Sequence, residues 1–271
     1  MDRRRTWDLA RQAANVAGAL FQVGMTAYAS TRISDVVDEG PRSPVEPALY
    51  AFFIWGVIFS LSLAYAVYQA RPSRREDPLL RRIGWFTAAA FACTGVWSVF
   101  VPREQTLSAF GVFLVAWVCL LVAYLRVAGS ERRAGRGTRW LVALPIGIFL
   151  GWVTAADLVS AHAALVEGGY LAPGGTAEAA VGAGLLLLGG VLAAGVVAAG
   201  RPGPVQGYAA YGGTVLWALA GVVVNQYGVE PLTAGAALIA AVPVALALGG
   251  WPPTFAQPGR GASRTAPSGA G

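Results

Sequence analysis

The chain has no lysine: all twenty of its basic residues are arginine. A retinal or pyridoxal Schiff base and a phosphate-loop lysine are thereby excluded. Histidine occurs once, at His162, and cysteine twice, at Cys93 and Cys119. One imidazole and two thiols cannot build a structural zinc site or a bis-histidine haem, so no metal site is expected. Both cysteines lie inside apolar stretches, where a thiol packs as a small hydrophobe, and they say nothing about redox compartment. Charge is scarce too. Only 13% of the 271 residues are charged and 56% are hydrophobic, whereas a soluble domain carries about 25% charged residues. With a mean hydropathy of +0.56, the composition is that of an all-α, polytopic membrane protein.

What is present is a series of long apolar runs. Pro47–Ala70 holds no charged residue and is stopped by Arg71, Arg74 and Arg75. At 1.5 Å rise, about twenty such residues cross a hydrocarbon layer of about 30 Å. Within it Ala48, Phe52, Trp55, Phe59, Ser62 and Ala66 recur at helical spacing and form one face of aromatic and small residues. Before it, the first helix is expected over Gln12–Ser30. Its charged start and Ala27-Tyr28-Ala29 could pass for a cleaved signal peptide. Asn15, Gly18, Ala19, Gln22, Thr26 and Ala29, however, share a polar, small face that suits packing in a bundle, so the helix is read as retained. Thr31–Glu46, with Asp35, Asp38, Glu39, Pro41, Pro44 and Glu46, reads as a polar loop.

Further helices are expected over Ile83–Val101, Thr106–Leu125, Trp140–Val166, Glu178–Gly200, Gly207–Gln226 and Pro231–Gly250. The turn at Pro102–Glu104 sets the third and fourth antiparallel. Beyond Glu167 the texture shifts to Ala, Gly, Val and Leu, with pairs such as Ala180/Gly184 and Gly190/Ala194 that permit close helix approach. Pro243 is placed to bend the last helix. The Gly-, Pro- and Ser-rich stretch 251–271 reads as a disordered cytoplasmic tail. No internal repeat is evident, which argues against an inverted-repeat transporter.

Seventeen of the twenty arginines fall on one side of an eight-span topology, in the N-terminus, the loops 71–82 and 126–139, Arg201 and the tail; only Arg32, Arg42 and Arg103 fall on the other. The positive-inside rule puts both termini in the cytoplasm of a plasma-membrane protein. It also accounts for the net charge of +6 without a nucleic-acid partner. Membrane lipids are the expected surroundings, and the oligomeric state is left open, a homodimer included.

Asp157 is the one charged residue well inside an expected span. A carboxylate there costs about 2.5–3.5 kcal/mol on insertion scales, so it should face the bundle, be paired or be protonated. No arginine lies at its depth. It reads either as a ligand anchor or proton carrier, or as a helix-packing group. His162 is about 140° around the same helix from Asp157, so the two form no dyad, and His162 reads as interfacial. Asn225 and Gln226 read as polar caps rather than as cavity residues. Trp7, Trp85, Trp140 and Trp251 suit the interface. Trp55, Trp97, Trp117, Trp152 and Trp217 lie deeper, where the plain alternative to a lined cavity is core packing.

Two stretches carry a resemblance. Pro47, then Phe52-Phe53-Ile54-Trp55-Gly56 and Phe59, resembles the second-helix motif of the tryptophan-rich sensory protein/translocator protein (TspO/MBR) family. Leu144-Pro145, Gly151-Trp152, Ala156 and Ser160 resemble its fifth-helix pattern. The likeness covers roughly residues 10–167, and the last three helices look like the extension of longer members. It implies a five-helix bundle over 1–167, a three-helix extension over 168–250, and a pocket for tetrapyrroles, sterols or aromatic ligands gated by the loop 31–46. Phe52, Trp55, Phe59, Trp152, Ala156 and Ser160 would line that pocket, with Trp97 as a further deep aromatic. On the fifth helix Ala156 and Ser160 lie about 40° and 80° from Trp152, while Asp157 lies about 140° away and should face a neighbouring helix. Gly56, Phe59 and Ser160 replace the Thr, Tyr and Asn of short members, which removes or shortens polar groups.

The expectation is a membrane protein that binds a hydrophobic, planar small molecule such as a porphyrin or haem-like ligand, acting as sensor, regulator or carrier. No cofactor is required. No nucleophile–base arrangement supports an enzyme, and no catalytic residue is assigned. The alternative is a proton-coupled transporter using Asp157.

Overall fold

From Arg3 to Glu39 there is no proline, and the first helix breaker is Gly40-Pro41. In the computed structural model, which describes residues 3–39, 43–130 and 134–251, helix α1 accordingly runs from Arg3 to Glu39. The expected polar loop is thus helical over 31–39; acidic residues are compatible with helix, and the sequence has no proline before Pro41. A 3₁₀ turn over Leu49–Phe53 leads into α2, Ile54–Ala70. Then follow α3 (Pro78–Phe100), α4 (Thr106–Ala128), α5 (Leu144–Glu167), α6 (Thr176–Gly200), α7 (Val205–Gln226) and α8 (Pro231–Gly249). The helix of α8 continues through Pro243. The tail from 252 onward lies outside the described residues.

Two starts show local sequence at work. Asp77 caps α3, accepting from the Leu79 and Leu80 amides at 3.0 and 3.2 Å, with Pro78 at the first helical position. Ahead of α5, Pro145 lacks an amide proton and crowds the carbonyl four residues back. The backbone answers with a wide π-turn over Arg139–Ala143, in which the Leu144 amide reaches the Arg139 carbonyl.

Helices α2 to α8 are long and apolar enough to cross a membrane, seven in all among the described residues. The chain is a multi-pass, all-helical membrane protein. Helix α1 falls short of that measure because its buried face is polar. Asn15 and Gln22 are fully buried there, with Ala19 and Ala29, as the polar stripe predicts. Asn15 donates to the Gly84 carbonyl at 2.7 Å and accepts from Thr87 at 2.6 Å, and Thr26 pairs with Ser98 at 2.8 Å. In an apolar medium such interhelical bonds fix register. Arg11, one of the N-terminal arginines, is 1% exposed. Its guanidinium donates to the Arg75 and Leu80 carbonyls, tying α1 to the turn before α3.

The packing order α1–α3–α4–α5–α2 returns to α1 and closes a ring. Helix α5 also lies along α7, and α8 packs on both α6 and α7. Glycines set these close approaches. A Cβ on Gly151 would stand 2.7 Å from the Tyr211 carbonyl oxygen of α7, and one on Gly190 would stand 2.8 Å from the Ala240 Cα of α8. Gly184 faces open space and Ala180 is exposed, so that expected contact pair is absent; Ala179, Gly182 and Ala183 are buried instead. A helix small on all sides does not mark its buried face.

Candidate ligand-binding site

Inside the ring, in the half of the helices away from the arginine-rich ends, aromatic side chains converge on Trp55. Its indole stacks on Phe59, Trp97 and Phe113 at centroid distances of 5.3, 5.9 and 6.3 Å, and meets Trp152 edge-on at 6.2 Å. Trp97 and Phe113 lie nearly parallel, 4.6 Å apart. Phe52 meets Trp152 edge-on at 5.5 Å. Offset and edge-on geometries are those that ring quadrupoles favour.

Beside these rings is a cavity of about 480 Å³. Phe52, Trp55, Trp97, Trp152, Ala156 and Ser160 line it, together with Thr26 and Ser30 of α1, Phe113 of α4, and Glu46, Pro47 and Leu49. Phe59 does not reach the cavity; it backs Trp55. Asp157 is not among the lining residues either, as its position around α5 predicts. It is 8% exposed, and neither carboxylate oxygen has a hydrogen-bond partner among the described residues. Trp152 is 2% exposed with its Nε1 likewise unpartnered. Trp117 and Trp217 are not lining residues: the first donates to Thr154 at 2.9 Å and the second to the Ala51 carbonyl at 3.1 Å.

The segment before α2 lines the cavity through Glu46 and Pro47, and side chains from the second half of the chain hold it. His162, expected at the interface, is fully buried. Its Nδ1 lies 3.0 Å from the Ser43 hydroxyl and its Nε2 3.4 Å from the Glu178 carbonyl. Gln226 donates to the Ser43 carbonyl at 3.2 Å and Asn225 to the Glu46 carbonyl at 3.0 Å. These two amides therefore fasten the segment rather than cap α7. The Ala48 amide bonds the Gly221 carbonyl at 3.0 Å, and Gly221 leaves just enough room for Pro47 and Ala51. Phe113 and the fastening role of His162 were missed from sequence. Phe113 lies one helical turn from Trp117, a signal that could have marked α4 as a wall.

A ring of helices with an aromatic cavity in one half fits a multi-pass membrane protein of the ligand-binding class. The chain matches the family described as TSPO-like protein over residues 12–249 and belongs to it. That match runs on through α6, α7 and α8. Comparison with curated proteins and with solved structures gave no match.

Proposed function

We propose that this TSPO-like chain binds a hydrophobic, planar ligand of the porphyrin or haem-like type in the aromatic cavity, as a sensor, regulator or carrier rather than a catalyst. The observation that carries the reading is the cavity itself. Its volume of about 480 Å³ falls within the roughly 300–1,000 Å³ of ordinary ligand pockets. Trp55, Trp97 and Trp152 line it, and indole faces suit a flat π-system. The segment 43–48 and the end of α1 would gate access. The test is an absorbance titration of purified protein with protoporphyrin. Saturable binding should weaken several-fold in Trp55→Leu, since one aromatic contact is worth about 0.5–1.5 kcal/mol. Unchanged affinity in that variant removes the cavity from consideration.

The same reading takes α1 as an eighth span, with both termini in the cytoplasm of the plasma membrane and α6–α8 as an extension of the five-helix ring. The arginine distribution supports it. In a background lacking Cys93 and Cys119, Ser130→Cys should label only from the cytoplasmic face and Tyr170→Cys only from the opposite one. Labelling of both from one side rejects this topology.

A second reading rests on the carboxylate of Asp157, which has no hydrogen-bond partner among the described residues. A buried, unpaired acid in a span is a functional candidate, here a proton carrier in a coupled transporter. Uptake into proteoliposomes that persists in Asp157→Asn would exclude it.

A further inference from the structure

Helices α1 and α2 both contribute to the aromatic cavity, and at the arginine-rich end they are fastened to each other. Gln12 donates to the Gln69 carbonyl at 2.6 Å, and Gln69 returns a bond to the Gln12 carbonyl at 3.0 Å. Arg11 donates to the Arg75 carbonyl at 2.8 Å. At the cavity end the two helices take different partners. On α1, Thr26 pairs with Ser98 of α3 at 2.8 Å, and Phe21 fills the space that a Cβ on Gly95 of α3 would need. The start of α2 is held by α7 instead. Trp217 donates to the Ala51 carbonyl at 3.1 Å and meets Tyr50 edge-on at 5.2 Å, while the Gly221 carbonyl accepts from the Ala48 amide. Helices joined at one end and drawn to separate neighbours at the other have room to part beside the cavity.

Exposure of the lining residues shows where. Among the described residues that line the cavity, two are exposed: Ser30 of α1 and Leu49 of the turn leading into α2. The others are buried or half-buried. The surface beyond Leu49 is apolar. Leu49 is 62% and Phe53 80% exposed, and a Cβ on Gly56 would meet nothing within 4 Å. An opening onto water carries a polar rim. These residues instead begin the apolar stretch Leu49–Ala70, long enough to cross a membrane, whose outward side chains face acyl chains. We propose that the cavity opens sideways between the outer halves of α1 and α2 and exchanges its ligand with the apolar interior of the bilayer. The inference rests on the ligand-binding reading of the cavity and narrows the ligand class to molecules dissolved in the membrane. Helix α7 takes part by fixing where α2 begins.

The test is stopped-flow tryptophan quenching by protoporphyrin, added to full-length protein in phosphatidylcholine vesicles. Gly56→Phe places a ring in the open space beside the gap. It should slow uptake and release together, each at least about fivefold, because a narrowed passage changes both rates and leaves the bound state alone. Gly111→Phe, at an open position on α4, is the control and should change neither. Unchanged rates in Gly56→Phe, or equal slowing in both variants, overturn the proposal. A nitroxide on Leu49→Cys, in a background lacking Cys93 and Cys119, gives a second reading that needs no ligand. Its collisions with oxygen should exceed those with a water-soluble nickel chelate; the reverse order puts the opening in water and overturns the proposal. If the unaltered protein binds no protoporphyrin, the ligand-binding reading fails by itself, and the nitroxide alone decides the opening.

Discussion

His162 and Ser43 are 119 positions apart in the chain, yet the imidazole Nδ1 lies 3.0 Å from the hydroxyl oxygen. The pair joins α5 to the segment 43–48, whose Glu46 and Pro47 line the cavity. Since Nε2 also reaches toward the Glu178 carbonyl, one side chain spans three separate parts of the fold. His162→Ala should therefore act on the segment 43–48 before it acts on the bundle. Amide exchange at 45–48 should accelerate, and a bound porphyrin should leave faster. Loss of one or two buried bonds costs about 1–3 kcal/mol, so the protein should remain folded. Exchange confined to the α6 terminus, with 45–48 unchanged, would contradict this role.

The seam between α5 and α7 depends on an absent side chain. Gly151→Leu would drive carbon into the Tyr211 carbonyl and Thr214, both within 3 Å of the Cβ position. Overpacking of this kind costs typically about 1–3 kcal/mol, and rigid backbone on the far side puts this case at the upper end. Gly184→Leu, on the open face of the neighbouring helix, is the matched control. Thermal melting in detergent should separate the two clearly; equal melting temperatures would mean that the seam adapts freely.

Phe113 is fully buried, stacks on Trp97 at 4.6 Å and lines the cavity beside it. Phe113→Ala should cost about 3–5 kcal/mol if the void stays empty. A ligand that fills the enlarged space should restore part of that loss, because binding to the folded state stabilises it. The measurement is the melting temperature with and without protoporphyrin. A ligand-induced shift no larger than that of the unaltered protein would place the ligand elsewhere.

At the arginine-rich end, Arg81 donates to both carboxylate oxygens of Asp8, with Nε at 2.9 and 3.1 Å. That hydrogen bonding, joined by the charges of Arg81, Arg11 and Arg75 and opposed by burial, holds the Asp8 carboxyl below its usual range. A lowered value in the folded state means that the stabilisation is complete above the unfolded aspartate pKa. It is lost as pH falls through the lowered one. Acidification from neutrality to below the ordinary aspartate range should destabilise the parent protein more than Asp8→Asn. Parallel pH profiles for the two would show that the pair does not contribute.

The spans were legible because the membrane imposes length, and arginines punctuate the apolar runs. The lining residues Phe52, Trp55, Trp152 and Ala156 were named through the resemblance of their two stretches to the family's motifs, and the helical spacing of Trp152 and Ala156 agrees with a shared face on α5; Phe52 sits in the 3₁₀ turn ahead of α2. What escaped was set by neighbours far away in sequence. Asn15 and Gln22 lower the hydropathy of α1; Asn15 is buried because Gly84 and Thr87 on α3 meet it, whereas the amide of Gln22 is buried with no hydrogen-bond partner among the described residues. His162 looked interfacial because nothing near it in sequence announces Ser43. In α6, glycine and alanine occur on every face, so only the packed neighbours reveal which glycines matter: Val45 for Gly182, Leu158 for Gly189 and Ala240 for Gly190. The extension of α1 to Glu39 follows from the absence of any breaker before Gly40, a cue outweighed by the acidic composition of that stretch.

The contacts from Gly221, Trp217, Asn225 and Gln226 to the 43–51 stretch have a practical consequence. A shortened version ending near residue 167 would keep all five walls of the chamber but lose what holds its entrance in place. On the proposed ligand-binding reading, trimming this polypeptide should therefore give a leaky vessel, with ligand escaping faster although every ring that lines the cavity is still there.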